Sequence, residues 1–341
     1  MTPSTQRRWL VAARPVGRPL VDADFELADG PVAAPVVGQV LVRTCYLSFD
    51  PAQKSWMENA ASYMNPVEIG GVMPGSGVGV VAASGHPDFE PGDTVFGQLG
   101  WQEYATVDAG ALYKAPPGVP MSAVLSVLGG TGRTAYLALM KVGKPVAGDT
   151  LVISAAAGAT GSLVGQIGKI AGCRVIGIAG GPEKCAWLTD QLGFDAAIDY
   201  KAEKVRHRLR ELAPGGVDIF FDNVGGEILN DVLARLAQRA RVVICGGISR
   251  YNHDPRSPQM PEGPRNYFNV VFTGATIQGF LMPQYERDYG EADQRLVDWL
   301  RAGRIQPRAD LLEGFENAPR ALMRLFDGRN VGKQLLKVAE G

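Results

Sequence analysis

The stretch Leu151-Val152-Ile153-Ser154-Ala155-Ala156-Ala157-Gly158-Ala159-Thr160-Gly161-Ser162-Leu163 decides how this chain folds. Residues 151–156 form a short apolar run of the sort a buried strand needs, and residues 161–172 place Leu163, Val164, Ile167 and Ile170 on one helical face. Between them, Ala155, Gly158 and Gly161 fall at A-x-x-G-x-x-G, a variant of the dinucleotide-binding fingerprint. Gly158 lets the backbone approach a pyrophosphate, and Gly161 allows close contact between helix and strand. The N–H groups at the helix start, around Gly158, Ala159, Thr160 and Gly161, supply donors and a favourable dipole for an anion. A plain tight turn would show the same glycines. The strand before, the helix after and a second strand at the right distance favour a nucleotide.

That second strand, 174–179, ends in Ala179-Gly180-Gly181-Pro182-Glu183-Lys184. A site for NAD places an acid about 20 residues after the glycine turn, to accept from the ribose 2′-OH. Here no acid stands at the strand end, and Lys184 can meet a 2′-phosphate as a point charge. Glu183 argues the other way, although it also suits the positive end of its own helix. NADPH is the expected cofactor; an ordinary surface lysine is the competing reading of Lys184.

Downstream, strands are expected at 196–200, 217–222, 241–245 and 275–281, with helices at 182–192, 202–213 and 227–236. Repeated β-α-β units of this kind predict a parallel, doubly wound sheet. The polar, proline-rich stretch 251–266 reads as a loop, longer than usual connections, belonging either to an active site or to the solvated surface. A helix around 318–326 and a strand at 334–338 close the chain. Upstream, 39–47 and 77–83 read as strands and 90–97 as a turn feeding another, with no sustained helical period before about Met121. A barrel-like antiparallel domain accounts for that texture.

The 341 residues exceed what one core usually serves, so two domains are expected. Net charge is −1 with the two signs interspersed, leaving no basic stripe for nucleic acid. No apolar run is expected to approach the ~20 residues of a bilayer span, so no membrane partner is expected. Arg7 and Arg8 are followed by no signal-like apolar core. The four cysteines, Cys45, Cys173, Cys185 and Cys245, are scattered and form no C-x-x-C pair, which suits free thiols in a reducing, cytoplasmic setting.

Taken together, Leu47-Ser48-Phe49-Asp50-Pro51, 132–136, 155–168, Leu192-Gly193-Phe194-Asp195, Phe221-Asp222-Asn223-Val224-Gly225-Gly226, 245–252 and 330–333 resemble the medium-chain dehydrogenase/reductase superfamily. The resemblance is strongest to its zinc-independent double-bond reductases, the group of leukotriene B4 dehydrogenase/prostaglandin reductase and bacterial curcumin reductase. It implies a fold of class α/β: a GroES-like β-rich catalytic domain, residues 1–128 completed by 306–341, and a Rossmann doubly wound parallel-sheet domain, 129–305. It also implies a homodimer and NADPH-dependent reduction of the C=C bond of an enone or alkenal. By the same resemblance, Gly158, Ala159, Thr160 and Gly161 hold the pyrophosphate, Lys184 the 2′-phosphate and Tyr200 lies beside the adenosine. Asn223 matches a strand-end contact. Cys245, Gly246, Gly247, Ile248, Ser249 and Tyr251 form a loop near the nicotinamide ribose. Phe280, Leu281, Met282 and Asn330 are further cofactor contacts, and Thr134 lies in a segment facing the nicotinamide.

Departures leave the substrate open. Family members often carry Tyr where this chain has Ala52, and some carry an active-site Tyr where it has Phe272. Gly129-Gly130-Thr131-Gly132-Arg133 replaces the commoner G-M-P-G-L. Zinc is not expected, because His86, His207 and His253 stand in unrelated contexts and Met73-Pro74-Gly75-Ser76-Gly77 occupies the segment where the zinc branch places G-H-E. Hydride reduction of an enone leaves an enolate that needs hydrogen-bond donors. Tyr63 and Tyr251 are the candidates, with Tyr267, backbone N–H groups and the cofactor ribose hydroxyl as others. Each tyrosine also reads as simple packing. Trp56 and Trp101 line a pocket or belong to the core, and His207 reads as solvated. The competing functions are an NADPH quinone oxidoreductase and a non-catalytic nucleotide-binding relative.

Overall fold

The computed structural model describes residues 3–60, 63–254, 257–258 and 263–341. Residues 255–256 and 259–262 of the 251–266 loop lie outside the described residues, as does Ser62 beside Tyr63. The chain divides into two compact units, Met1–Gly129 with Ala309–Gly341, and Gly130–Arg308.

The first unit is β-rich. A seven-stranded sheet runs in the order Ala309–Glu313, Lys333–Lys337, Gln39–Ser48, Ser76–Ser84, Thr94–Gln98, Leu112–Lys114, and Tyr104–Asp108 also pairs with Gln39–Ser48. All its pairings are antiparallel except the first, Ala309–Glu313 with Lys333–Lys337. A separate hairpin, Thr5–Val11 with Phe25–Pro31, adds two strands. Gln39–Ser48, paired with three other strands, buries Val40, Leu41, Val42, Cys45 and Leu47, each less than a tenth exposed. Trp101 is fully buried, stacked on Phe25 at 5.4 Å and tilted against Phe49 at 5.0 Å. It is a core residue. Among the described residues one α-helix, Ala52–Met57, precedes Met121; it is too short to show a period in the sequence.

The second unit carries six parallel strands in the order Ala196–Asp199, Arg174–Ala179, Thr150–Ile153, Val217–Asp222, Leu236–Ile244, Thr276–Gly279. Numbered along the chain this is 3-2-1-4-5-6, the doubly wound arrangement, reversing between the first strand and the fourth. Helices cover a parallel sheet on both faces, which is why Val217, Ile219, Phe220 and Phe221 are all fully buried, with only the half-buried Asp218 between them. The fifth strand starts five residues before the expected 241, because register slips between Val217 and Ile219 and Arg239 takes φ 60°. Polar Gln238 and Arg239 hide that start in the sequence. Helix Pro182–Ala186 continues as a wider turn, Trp187–Gln191, and stops at Gly193 with φ 69°. The helix Tyr289–Arg301, which buries Ala292, Leu296 and Val297, was also not foreseen.

One stretch corrects the expectation about apolar runs. Met121–Gly143 is long and apolar enough to cross a membrane by composition, yet 78% of its most apolar window is buried within the protein. Leu128 is extended and Gly129 has φ 66°, so the stretch is broken into Met121–Val127 and Gly129–Leu137. These are core helices.

Candidate functional site

All six strands of the second unit point the same way, so the loops after them share one edge of the sheet. Ala155 takes φ 48°, unusual for a residue with a Cβ, and its carbonyl accepts from Gly158 N at 2.9 Å. A Cβ on Gly161 would lie 2.5 Å from that carbonyl oxygen, so only glycine allows helix Ala159–Ile170 to start here. Gly158 caps the helix with no side-chain bond and no acid stands in the first turn. The N–H groups of Ala159, Thr160 and Gly161 lie where a helix leaves its donors unpaired, which suits a diphosphate.

The end of the second strand forms the next part. Gly181 N donates to Asp199 Oδ1 at 2.8 Å, and Lys201 N donates to the same oxygen at 3.0 Å. These backbone donors, Gly181 first, hold the Asp199 carboxyl below the usual range, so it is an ionised carboxylate tied to the turn between the second and third strands. The Tyr200 ring lies against Gly180, where a Cβ would come within 2.9 Å of it, and Lys201 Cε lies 3.0 Å from the same point. Lys184 sits on the first helical turn after Gly181, half-buried. Sequence reading missed Lys201, because it follows the third strand and not the second; its signal was adjacency to Tyr200.

Beyond the reversal, Asp222 and Ser154 are almost wholly buried and bonded, Ser154 Oγ donating to Asp222 Oδ1 at 2.7 Å. Burial raises the Asp222 carboxyl above the usual range, against the N–H groups of Gly225 and Val224 and the Ser154 hydroxyl, which it accepts. The loop 245–249 is bonded to this turn: Cys245 N and Gly246 N donate to Asp222 O, Ile248 N to Asn223 O and Ser249 N to Val224 O. Ser249 Oγ donates to Val224 O at 2.6 Å. Tyr251, half-buried, follows one turn later. Phe280 N donates to Ile244 O at 3.0 Å, which places Phe280, Leu281 and Met282 on the same edge, while the Phe280 ring is buried and stacked on Tyr285 at 4.9 Å. Thr134 is half-buried, next to Arg133, whose guanidinium forms a bidentate pair with Asp293 at 2.6 and 2.8 Å. That pair gives the departure at Arg133 a structural role.

Tyr63 and Asn330 belong to the first unit. Trp56 Nε1 donates to Tyr63 OH at 3.1 Å, and Tyr63 is 42% exposed. Asn330 Nδ2 donates to Gly332 O at 3.0 Å. Nearby, the buried Lys333 ammonium meets Asp50 Oδ1 at 2.5 Å and Phe49 O at 3.2 Å.

The donor set does not fit a zinc ion. Among the described residues no three His, Cys, Asp or Glu gather as ligands. All four cysteines are free thiols, and burial pushes those of Cys173 and Cys185 up to about 11 and that of Cys245 up to about 12. His207 is exposed on its helix.

Residues 7–115 match the family model described as the N-terminal domain of oxidoreductase, and residues 159–298 the one described as zinc-binding dehydrogenase. The chain is 42% identical to the NADPH-dependent curcumin reductase of Escherichia coli, over 98% of this chain and 97% of that one. It is 38% identical to the NADP(+)-dependent 2-alkenal reductase of Nicotiana tabacum, over 88% and 87% of the two chains. Among solved structures, CurA from Vibrio vulnificus in complex with NADPH matches with TM-score 0.90 at 42% identity, over 98% of this chain and 100% of that chain.

Proposed function

The chain belongs to the zinc-independent double-bond reductases of the medium-chain dehydrogenase/reductase superfamily, and from that premise we propose that it reduces the C=C bond of α,β-unsaturated ketones and aldehydes. It is an NADPH-dependent oxidoreductase. The observation that carries the choice of substrate is the relation to a 2-alkenal reductase over most of both chains, since a 2-alkenal is an α,β-unsaturated aldehyde.

NADPH fits the residues present: amide donors without an acid at the first turn, and two ammonium groups beside Gly180 and Gly181. Bound there, it supplies the hydride that adds to the substrate β-carbon. Ala159, Thr160 and Gly161 hold the diphosphate, Lys184 and Lys201 the 2′-phosphate, and Tyr200 packs beside the adenosine. Asn223, 245–249, Tyr251, 280–282, Thr134 and Asn330 complete the cofactor contacts in this reading. Tyr63 and Tyr251 offer hydroxyl donors to the carbonyl oxygen as negative charge develops on it. For Tyr63 the direction of donation is set, because an indole N–H only donates; the phenol oxygen accepts from Trp56 and keeps its own proton for another acceptor.

A homodimer belongs to the same proposal. Thr276–Gly279 is one of the two edge strands of its sheet, exposed throughout, and in the segment before it Tyr267, Phe268, Val271 and Phe272 are each more than half exposed. An apolar patch next to an open edge suits a second copy across a two-fold axis. Four free thiols suit a cytoplasmic setting.

A substrate panel under NADPH tests the proposal. Oxidation with an alkenal and an enone is expected, unchanged by a chelator. Turnover of quinones alone, or tight NADPH binding with no oxidation, overturns it.

A further inference from the structure

Met57 ends the helix Ala52–Met57, and its carbonyl is one of those that a helix leaves without an intrahelical partner. Arg14 supplies the partner. Its Nη1 donates to Met57 O at 2.9 Å and its Nη2 to Val67 O at 2.8 Å, so one guanidinium bridges two carbonyls that stand on either side of Tyr63 in the chain.

Both ends of this bridge are fixed. Val67 N donates to Asn59 Oδ1 at 2.9 Å, so both backbone groups of Val67 are held by side chains. Asn59 lies just past the helix end with φ 53°, a left-handed conformation that asparagine tolerates better than most residues. Met57 and Val67 are buried in the same apolar cluster. Arg14 is steadied through its neighbour: the carbonyl of buried Pro15 accepts from Lys54 Nζ at 3.1 Å, and the fully buried Lys54 is ion-paired with Glu58 one turn on. The flank of the helix and its last carbonyl therefore rest on the same short N-terminal stretch. The Trp56 indole ties Tyr63 to that helix end at 3.1 Å, and the guanidinium ties the chain beyond Tyr63, at Val67, to the same place.

We propose that Arg14 is a positioning residue for the reduction: by bridging Met57 O and Val67 O it holds the Tyr63 hydroxyl where the developing oxyanion needs a donor. This rests on the reading of Tyr63 as that donor. Lysine does not replace Arg14, because a single ammonium lacks the planar fork that reaches two separate carbonyls. A donor aimed at the transition state has to be held in place, since a small displacement costs rate.

The test is a double-mutant cycle. Values of kcat and KM for an enone are measured at saturating NADPH on the wild type, R14A, Y63F and R14A/Y63F, with R14K and thermal melts alongside, at a temperature where the melts show the variants folded. R14A is expected to lower kcat by about tenfold with KM nearly unchanged, and to leave the NADPH dissociation constant as it is. Once Tyr63 is Phe, R14A should cost nothing further. A residue that only stabilised the fold would slow both backgrounds alike, so an equal loss in both, or no loss beside an intact Tyr63, overturns the inference. R14K, expected between the wild type and R14A, carries the same comparison should R14A fold poorly. A Y63F enzyme as fast as the wild type would sink the reading of Tyr63 as donor and this inference with it. A slow Y63F enzyme with an additive R14A loss would sink the inference alone.

Discussion

The indole N–H of Trp56 donates to the phenol oxygen of Tyr63 at 3.1 Å. Trp56 lies one turn after Ala52 on helix Ala52–Met57, so the two share a half-buried face on which Trp56 also packs against the core, while Gln53, Lys54 and Met57 form the buried one. Ala52 is small, and the indole one turn later holds the Tyr63 phenol. Y63F is expected to lower kcat/KM for an enone by about 10²-fold, the usual effect of removing one donor to a developing oxyanion. W56F should cost about threefold to tenfold, and the double variant no more than Y63F alone. Steady-state kinetics check this, with the NADPH dissociation constant unchanged throughout. Additive effects would mean that the two residues act separately.

Lys184 and Lys201 predict a cofactor preference. Removing either ammonium should weaken NADPH by about tenfold and leave NADH, which lacks the 2′-phosphate, nearly untouched. Titrations of K184A and K201A with both dinucleotides measure it. Equal losses for the two cofactors would place the phosphate elsewhere.

Much of the second unit was legible because its strands are short apolar runs between amphipathic helices, and Arg174–Ala179 and Val217–Asp222 stand where the pattern put them. What was hidden had physical reasons. Leu236–Ile244 begins with polar residues around a slip in register, and Tyr289–Arg301 buries too narrow a stripe to stand out among its charges. The hairpin Thr5–Val11 with Phe25–Pro31 pairs residues across a long loop, which no local period reports. At the site, the glycine turn announced itself by spacing. The Ser154–Asp222–Asn223 network did not, because it joins residues nearly seventy positions apart through a hydroxyl.

Ala155 has a left-handed backbone, φ 48°, at the first position of the glycine turn. A Cβ there costs about 1 kcal/mol. A155G should therefore raise the melting temperature by a few degrees, with NADPH affinity retained. A fall in melting temperature would mean that the methyl group packs more favourably than its backbone is strained.

The thiols predict a pH dependence. Burial raises Cys173 and Cys185 to about 11, above the ordinary thiol, so the folded state holds protons that the unfolded chain releases. Their contribution to stability is full below the unfolded value and is lost as pH rises through about 11. At pH 8 the native protein should react with a disulfide reagent far more slowly than the urea-unfolded chain, and the difference should shrink in strong alkali. Fast labelling of Cys173 in the native protein at pH 8 would contradict this.

The most direct measurement is the structure of the product formed from a 2-alkenal and NADPH, read by proton NMR. The saturated aldehyde is predicted, with the carbonyl intact and one NADPH consumed for each alkene lost. An allylic alcohol, which places the hydride on the carbonyl carbon, or an unreacted alkenal beside unoxidised NADPH, would contradict the account.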